Sequence, residues 1–261
     1  MMRSENEFED RVALITGATS GIGRATAIEF AAAGANVVAT GRRIEQGEVL
    51  EAEANNLPGE IKFAQADVMI ADDVKRIVDT AVDSFGGLDF AFNNAGASRV
   101  MISEETGNPA RLHEYTDEHW DYYSDMFLKS MWRCMKHEIE VMLPASKGVI
   151  INNASIAGLL GGPNPAYATM KHGVTGLTKS AARQYAGTEL RFNAVCPGWI
   201  DTEMTASWKA DAEKSEFMLS RQSVKRPGAS HEVASLVKWL CSDGAAFVDG
   251  AIWPIDGGFT A

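Results

Sequence analysis

The feature that most constrains this chain is a strand that must turn into a helix with no room to spare. The apolar, β-branched run at residues 12–16 leads straight into TGATSGIG at residues 16–23, and an apolar periodic stretch at residues 22–33 follows and stops at Gly34. Strand, glycine-rich turn and helix in immediate succession open a βαβ unit. Gly17, Gly21 and Gly23 allow a tight turn and a close approach of backbone to a ligand, and the helix amino terminus behind them offers free N–H groups to a pyrophosphate. Taken alone, three glycines in such a turn also serve plain helix-on-strand packing.

The rest of the chain repeats the theme. Strands are expected at residues 36–40, 61–66, 88–92, 148–152, 191–195 and 251–255, with helical patterns between most of them. At residues 71–85 the apolar positions Val74, Ile77, Val78, Ala81, Val82 and Phe85 mark one face of a helix. Such alternation predicts a doubly wound α/β fold, a mostly parallel sheet with helices on both faces. No linker, repeat or low-complexity segment divides it, so one domain over residues 1–261 is expected. Two connections break the rhythm, residues 97–117 and 202–227, and both follow predicted strands. Connections beyond the carboxyl ends of parallel strands form the binding crevice of such a sheet.

Composition removes several classes of function. With 24 Lys plus Arg against 35 Asp plus Glu, the net charge is −11, which argues against a nucleic-acid partner. No apolar run approaches the roughly 20 residues that span a bilayer, and the acidic start MMRSENEFEDR lacks a signal-peptide pattern, so a cytoplasmic protein is expected. Cys134, Cys196 and Cys241 are too few and too scattered for a disulfide framework and read as small buried side chains. His113, His119, His137, His172 and His231 show no metal-ligand spacing, and no metal is expected.

Further patterns stand in order along the chain: NNAG at residues 93–96, Ser155 after the fifth strand, Tyr167 with Lys171, PGWIDT at residues 197–202 and DGG at residues 256–258. Tyr167 and Lys171 are four apart on a segment whose apolar positions have helical spacing, which puts them on one face. A phenol with a pKa near 10 ionises at neutral pH only with help from a cation. An ammonium about 4 Å away contributes on the order of 4 kcal/mol at an effective dielectric of 20, enough to lower that pKa by roughly 3 units before any desolvation opposes it. A group poised near pH 7 suits proton transfer at an alcohol oxygen. An isolated pair of this kind is more often a Tyr and a Lys packed together on a helix surface.

Together these motifs, spread from about Arg11 to Thr260, resemble the short-chain dehydrogenase/reductase family. The resemblance implies a single Rossmann-like domain with a seven-stranded parallel sheet. It implies an oxidoreductase that moves a hydride between a nicotinamide dinucleotide and a secondary alcohol or its ketone, in a homotetramer or dimer. Carried over residue by residue, Tyr167 is the general acid/base, Ser155 holds the substrate oxygen, and Lys171 tunes the tyrosine and binds the nicotinamide ribose. Gly17, Ser20, Gly21, Ile22 and Gly23 would take the pyrophosphate side, and Asp67 and Val68 the adenine. Asn94, Ala95 and Gly96 would line the ribose and nicotinamide, while Pro197, Gly198, Ile200 and Thr202 would enclose the carboxamide end.

Two departures sharpen this reading. NAD-preferring members carry an Asp after the second strand, whereas here VVATGRR has Gly41 at that place and Arg42 and Arg43 next to it. An arginine pairs bidentately with a 2′-phosphate and no carboxylate repels it, so NADP is favoured over NAD, although Ser20 replaces the second basic residue of many NADP-preferring members. The family's catalytic Asn, seven residues after a helix tryptophan, is Phe127 when counted from Trp120, with Ser124 and Ser130 as candidates for a rearranged proton relay. That loss supports a rival reading, a cofactor-binding regulatory or scaffold protein with weakened catalysis. Trp199, Met204, Trp208 and Met218 fit a partly apolar pocket under a lid, and equally a core or a subunit interface.

Overall fold

The computed structural model describes residues 7–97 and 109–261; residues 98–108, most of the first long connection, lie outside the described residues. Seven parallel strands form one sheet in the order β3-β2-β1-β4-β5-β6-β9. These are β1 (Val12–Thr16), β2 (Asn36–Gly41), β3 (Ile61–Gln65), β4 (Phe90–Asn93), β5 (Lys147–Asn153), β6 (Glu189–Pro197) and β9 (Ile252–Ile255). Every residue of β1 is buried, as a strand covered on both faces requires.

One core lies on the face covered by α1 (Gly21–Ala32), α2 (Ile44–Ala54) and α9 (Ser230–Cys241), and includes Phe30, Ile15, Val37, Val233 and Leu240. The other lies under α3 (Ala71–Phe85), α5 (Ser130–Met142) and α6 (Pro165–Gln184), and includes Leu14, Ile77, Met135, Ile150 and Phe192. Alternate residues of one strand feed opposite cores, since successive side chains point to opposite faces.

Chain order reverses between β1 and β4, which are hydrogen-bonded neighbours. The carboxyl ends of these strands, Thr16 and Asn93, therefore open the crevice where such sheets bind ligands. The fourth strand begins at Phe90, two residues later than residues 88–92 predict. Asp89 explains the delay, because its carboxylate takes the amide of Val12 at 2.9 Å and the guanidinium of Arg11 at 2.8 Å.

The second irregular connection is more ordered than its sequence implies. It holds α7 (Ala206–Ala210) and α8 (Ala212–Arg221), and its two ends are joined by the pairing of β7 (Ile200–Asp201) with β8 (Gly228–Ala229). Before α5 comes α4 (Asp117–Tyr123), joined to it through a π-helical turn over Ser124–Lys129. All three cysteines are free and buried. Among the described residues no helix is long and apolar enough to cross a membrane.

Candidate active site

The glycine turn is built by contact with the 93–96 segment. Gly17 and Gly21 have φ of 66° and 54°, the left-handed region that favours glycine. A Cβ on Gly23 would lie 2.3 Å from the Gly17 carbonyl oxygen, so helix and turn meet there backbone to backbone. Thr16 Oγ1 accepts from the amides of Asn94 and Ala95, both at 3.0 Å. The Asn94 amide donates to the carbonyls of Thr16 and Gly17 at 3.0 and 3.2 Å, while its own oxygen accepts from Asn153 at 2.8 Å. Asn94 thus holds the turn from behind rather than facing the groove.

The groove itself is lined by Gly17, Ser20, Arg42, Asp67, Val68, Ala95 and Gly96 among the residues expected from sequence, with Thr19, Thr40, Gly41, Arg43 and Met126 added. Ser20 caps α1 without a side-chain bond and the first turn holds no acidic residue. The leading N–H groups of α1 therefore remain available to an anion. Ile22 turns its side chain to the core, leaving only its backbone to the groove side. Thr202 reaches across: a Cβ on Gly21 would meet its Cγ2 at 3.1 Å. Gly198 packs so closely on the following DGG turn that a Cβ there would sit 2.8 Å from Asp256 Cα.

The arginines are not idle. Arg42 stands 3.7 Å from Asp67, and Arg43 pairs with Glu203 at 3.0 Å, tying the end of β2 to the segment after β7. With a glycine-walled cradle beside a helix amino terminus and two arginines at its rim, the residues present fit the phosphates of a dinucleotide.

Beyond the groove stand Ser155, Tyr167 and Lys171. Asn164 caps α6, its Oδ1 accepting from the Tyr167 amide at 2.9 Å, with Pro165 in the first turn. The same Asn164 donates to the Tyr123 hydroxyl at 2.7 Å, so the turn that carries Tyr167 is fastened to α4. One turn on, the buried Lys171 ammonium donates to the Asn153 carbonyl at 2.6 Å. Burial pushes the Tyr167 phenol up to about 12, with a hydrogen bond from Ser155 working the other way. Burial also pulls Lys171 down to about 8.

These directions correct the expectation of a tyrosine lowered towards neutrality by its lysine. The ammonium lies 5.6 Å from the Tyr167 ring centre and is committed to a carbonyl, so desolvation outweighs the charge effect. Burial thus favours the protonated form of the Tyr167 phenol.

Phe127 sits buried where the polar helix residue was expected. Its ring meets that of Tyr167 edge-on at 5.0 Å, stacks on Tyr123 at 5.6 Å, and has the Lys171 ammonium 5.2 Å from its centre. Ser130 is no relay, because its hydroxyl is buried and donates to Met126 carbonyl at 2.6 Å. Of the four apolar residues expected near a pocket, Trp199 and Met218 are buried, Trp208 is half-buried and Met204 is exposed. Asn153 and Asn164 escaped the sequence reading, although Asn-Pro ahead of an apolar helical pattern is a legible helix start. Among the described residues no group of three or more His, Cys, Asp or Glu is gathered as for a metal.

Comparison with known proteins places this arrangement. The family model described as enoyl-(acyl carrier protein) reductase matches residues 17–260. The chain is 39% identical over 257 residues to a cyclohexanol dehydrogenase of Acinetobacter sp. (strain SE19), covering 98% of this chain and 97% of the relative. It is 37% identical to the 3-oxoacyl-[acyl-carrier-protein] reductase FabG of Thermotoga maritima, over 96% of this chain and 98% of that one. Among solved structures it resembles levodione reductase, with a TM-score of 0.87 at 33% identity over 96% of this chain and 98% of that chain. A short-chain type dehydrogenase/reductase from Mycobacterium ulcerans matches with a TM-score of 0.89 at 28% identity, over 97% of this chain and 90% of that chain.

Proposed function

The chain belongs to the short-chain dehydrogenase/reductase family of NAD(P)-dependent oxidoreductases, and on that premise we propose that it interconverts a secondary alcohol and its ketone with NADP(H). The observation that carries the reading is the placing of Ser155, Tyr167 and Lys171 together beyond a glycine-walled groove. When bound, the nicotinamide supplies or accepts the hydride.

The chain's own residues handle oxygen and proton. Ser155 holds the substrate oxygen beside the phenol, and Tyr167 gives its proton to that oxygen as a carbonyl is reduced, or takes one as an alcohol is oxidised. Burial, which favours the protonated phenol, suits the step in which Tyr167 gives its proton. Lys171, held by Asn153, keeps positive charge near the phenol and steadies the ribose hydroxyls. Arg42, with Arg43 beside it, takes the 2′-phosphate, and Asp67 and Val68 border the adenine; Thr202, packed against Gly21, and the backbone of the buried Ile200 take the carboxamide. Phe127 leaves the proton path without the family's usual polar residue and keeps the lysine side of the site dry.

Cyclohexanone with NADPH is the first pair to assay, since a cyclohexanol dehydrogenase is among the relatives. Tyr167→Phe is expected to lower turnover at least about 100-fold while the NADPH dissociation constant stays within about threefold. Turnover unaffected by that change removes Tyr167 from the chemistry. Absence of Tyr167-dependent turnover on any carbonyl favours the regulatory reading.

A further inference from the structure

A buried acid lies directly behind the groove. Glu138, on α5, is 0% exposed, and its Oε2 accepts from the Asn93 side-chain amide at 3.0 Å. Asn93 is 2% exposed and begins the 93–96 segment that walls the groove. Its second amide hydrogen goes to Asn152 Oδ1 at 3.3 Å, and Asn152 in turn donates to Thr178 at 2.9 Å and to the Met135 sulfur at 3.3 Å.

In this network two atoms have no hydrogen-bond partner among the described residues: Asn93 Oδ1 and Glu138 Oε1. They belong to the two side chains already joined through their other polar atoms. Leaving both unpaired in a dry interior is costly, and an ionised carboxylate there more so. One proton resolves both, because a carboxylic acid and a primary amide can share two antiparallel hydrogen bonds.

We propose that Glu138 is a positioning residue for the dinucleotide groove: protonated at Oε1, it donates to Asn93 Oδ1, and this paired contact pins α5 to the groove wall. The pinned helix carries Cys134, which packs with Val68 and Val74 against Ala95, so its seat is shared with both the adenine and the ribose sides of the groove. Arg133 reinforces the same seat by donating to the Met69 carbonyl at 2.7 Å.

Among the described residues no cation pairs with this carboxylate. Asn93 comes from β4, Asn152 from β5, Thr178 from α6, and Cys134 and Met135 from α5. Burial raises the Cys134 thiol well above its ordinary range, so it stays neutral. Burial likewise pushes Glu138 up to about 8, against the opposing pull of the Asn93 hydrogen bond. Folding therefore takes up a proton here between the ordinary carboxylate range and about pH 8, and stability from this group is lost as pH rises across that window.

The proposal rests on the dinucleotide reading for its effect on binding, but not for its effect on folding. The test compares wild type, Glu138→Gln and Glu138→Leu by NADPH fluorescence titration and by thermal melting from pH 5 to 9. Gln keeps both hydrogen bonds without titrating, and Leu leaves Asn93 Oδ1 unpaired. Wild-type affinity for NADPH is expected to fall about tenfold more than that of Glu138→Gln between pH 7 and 9, a comparison in which Lys171 cancels. Glu138→Leu is expected to bind about tenfold more weakly than Glu138→Gln at pH 6.5. The melting temperature of Glu138→Gln is expected to gain on wild type as pH rises from 5 to 9. Parallel profiles for wild type and Gln in both measurements, or infrared carboxylate bands of Glu138 at pH 6, overturn the proposal. If neither NADPH nor NADH binds wild type, the dinucleotide reading falls and the melting comparison alone decides the acid–amide pair.

Discussion

At position 41 the chain has no side chain, and Thr19 stands where one would go: a Cβ built there falls 2.7 Å from Thr19 Cγ2. The missing carboxylate is thus matched by a filled volume on the opposite side of the turn. Gly41→Asp alone is expected to weaken NADPH without producing strong NADH binding, whereas Gly41→Asp with Thr19→Ala gains NADH affinity beyond the sum of the single changes, read by fluorescence titration in a double-mutant cycle. Additive effects would show that the two positions do not meet. That Tyr167 and Lys171 share one face of α6 was legible in the sequence, since it needs only helical spacing. The direction of their ionisation was not, because burial and the Asn153 carbonyl that holds the ammonium belong to the fold. Lys171 carries its charge below about pH 8, so ketone reduction is expected to decline as pH rises past that point, and Lys171→Met to lose this limb from the kcat/KM profile. A wild-type profile flat to pH 10 would contradict this role.

Among the elements, α6 shows how a helix start sets chemistry. Asn164 caps the turn that presents Tyr167 and donates to the Tyr123 hydroxyl, while the Tyr115 hydroxyl donates to its Oδ1 at 3.2 Å. Asn164→Ala is expected to cost about 1 kcal/mol in chemical denaturation and to lower kcat more than it raises KM, because the phenol loses its fixed bearing. A loss of stability with unchanged kcat would make the cap merely structural. The strands and α3 were legible from β-branched runs and periodic apolar spacing. The π-helical turn over Ser124–Lys129 was not, since one extra residue per turn leaves no mark in so short a stretch, yet it is this turn that carries Phe127 against Tyr167. α7 and α8 were missed because their charged residues mask a few apolar anchors, chiefly Met218.

For the whole molecule, one reversal of strand order does most of the work. Placing β4 beside β1 brings the glycine turn and the 93–96 segment to a common edge, and extending the sheet through β5 and β6 sets Ser155 and residues 197–202 along it. Alternation along the chain foretold the sheet, and the ordered motifs fall along one edge of it. Contacts that join distant segments, such as Arg43 with Glu203 or Asn93 with Glu138, have no sequence signal, because separations of this size are set only by folding. The central claim is that this edge holds a phosphorylated nicotinamide dinucleotide for use by Tyr167. It is tested most directly by titrating the purified protein with NADPH and NADH at one salt concentration, alongside Arg42→Ala. The account predicts tighter NADPH binding that weakens by about tenfold in the variant, as loss of one charged phosphate contact requires. Tighter NADH binding, or NADPH affinity indifferent to Arg42, would contradict it.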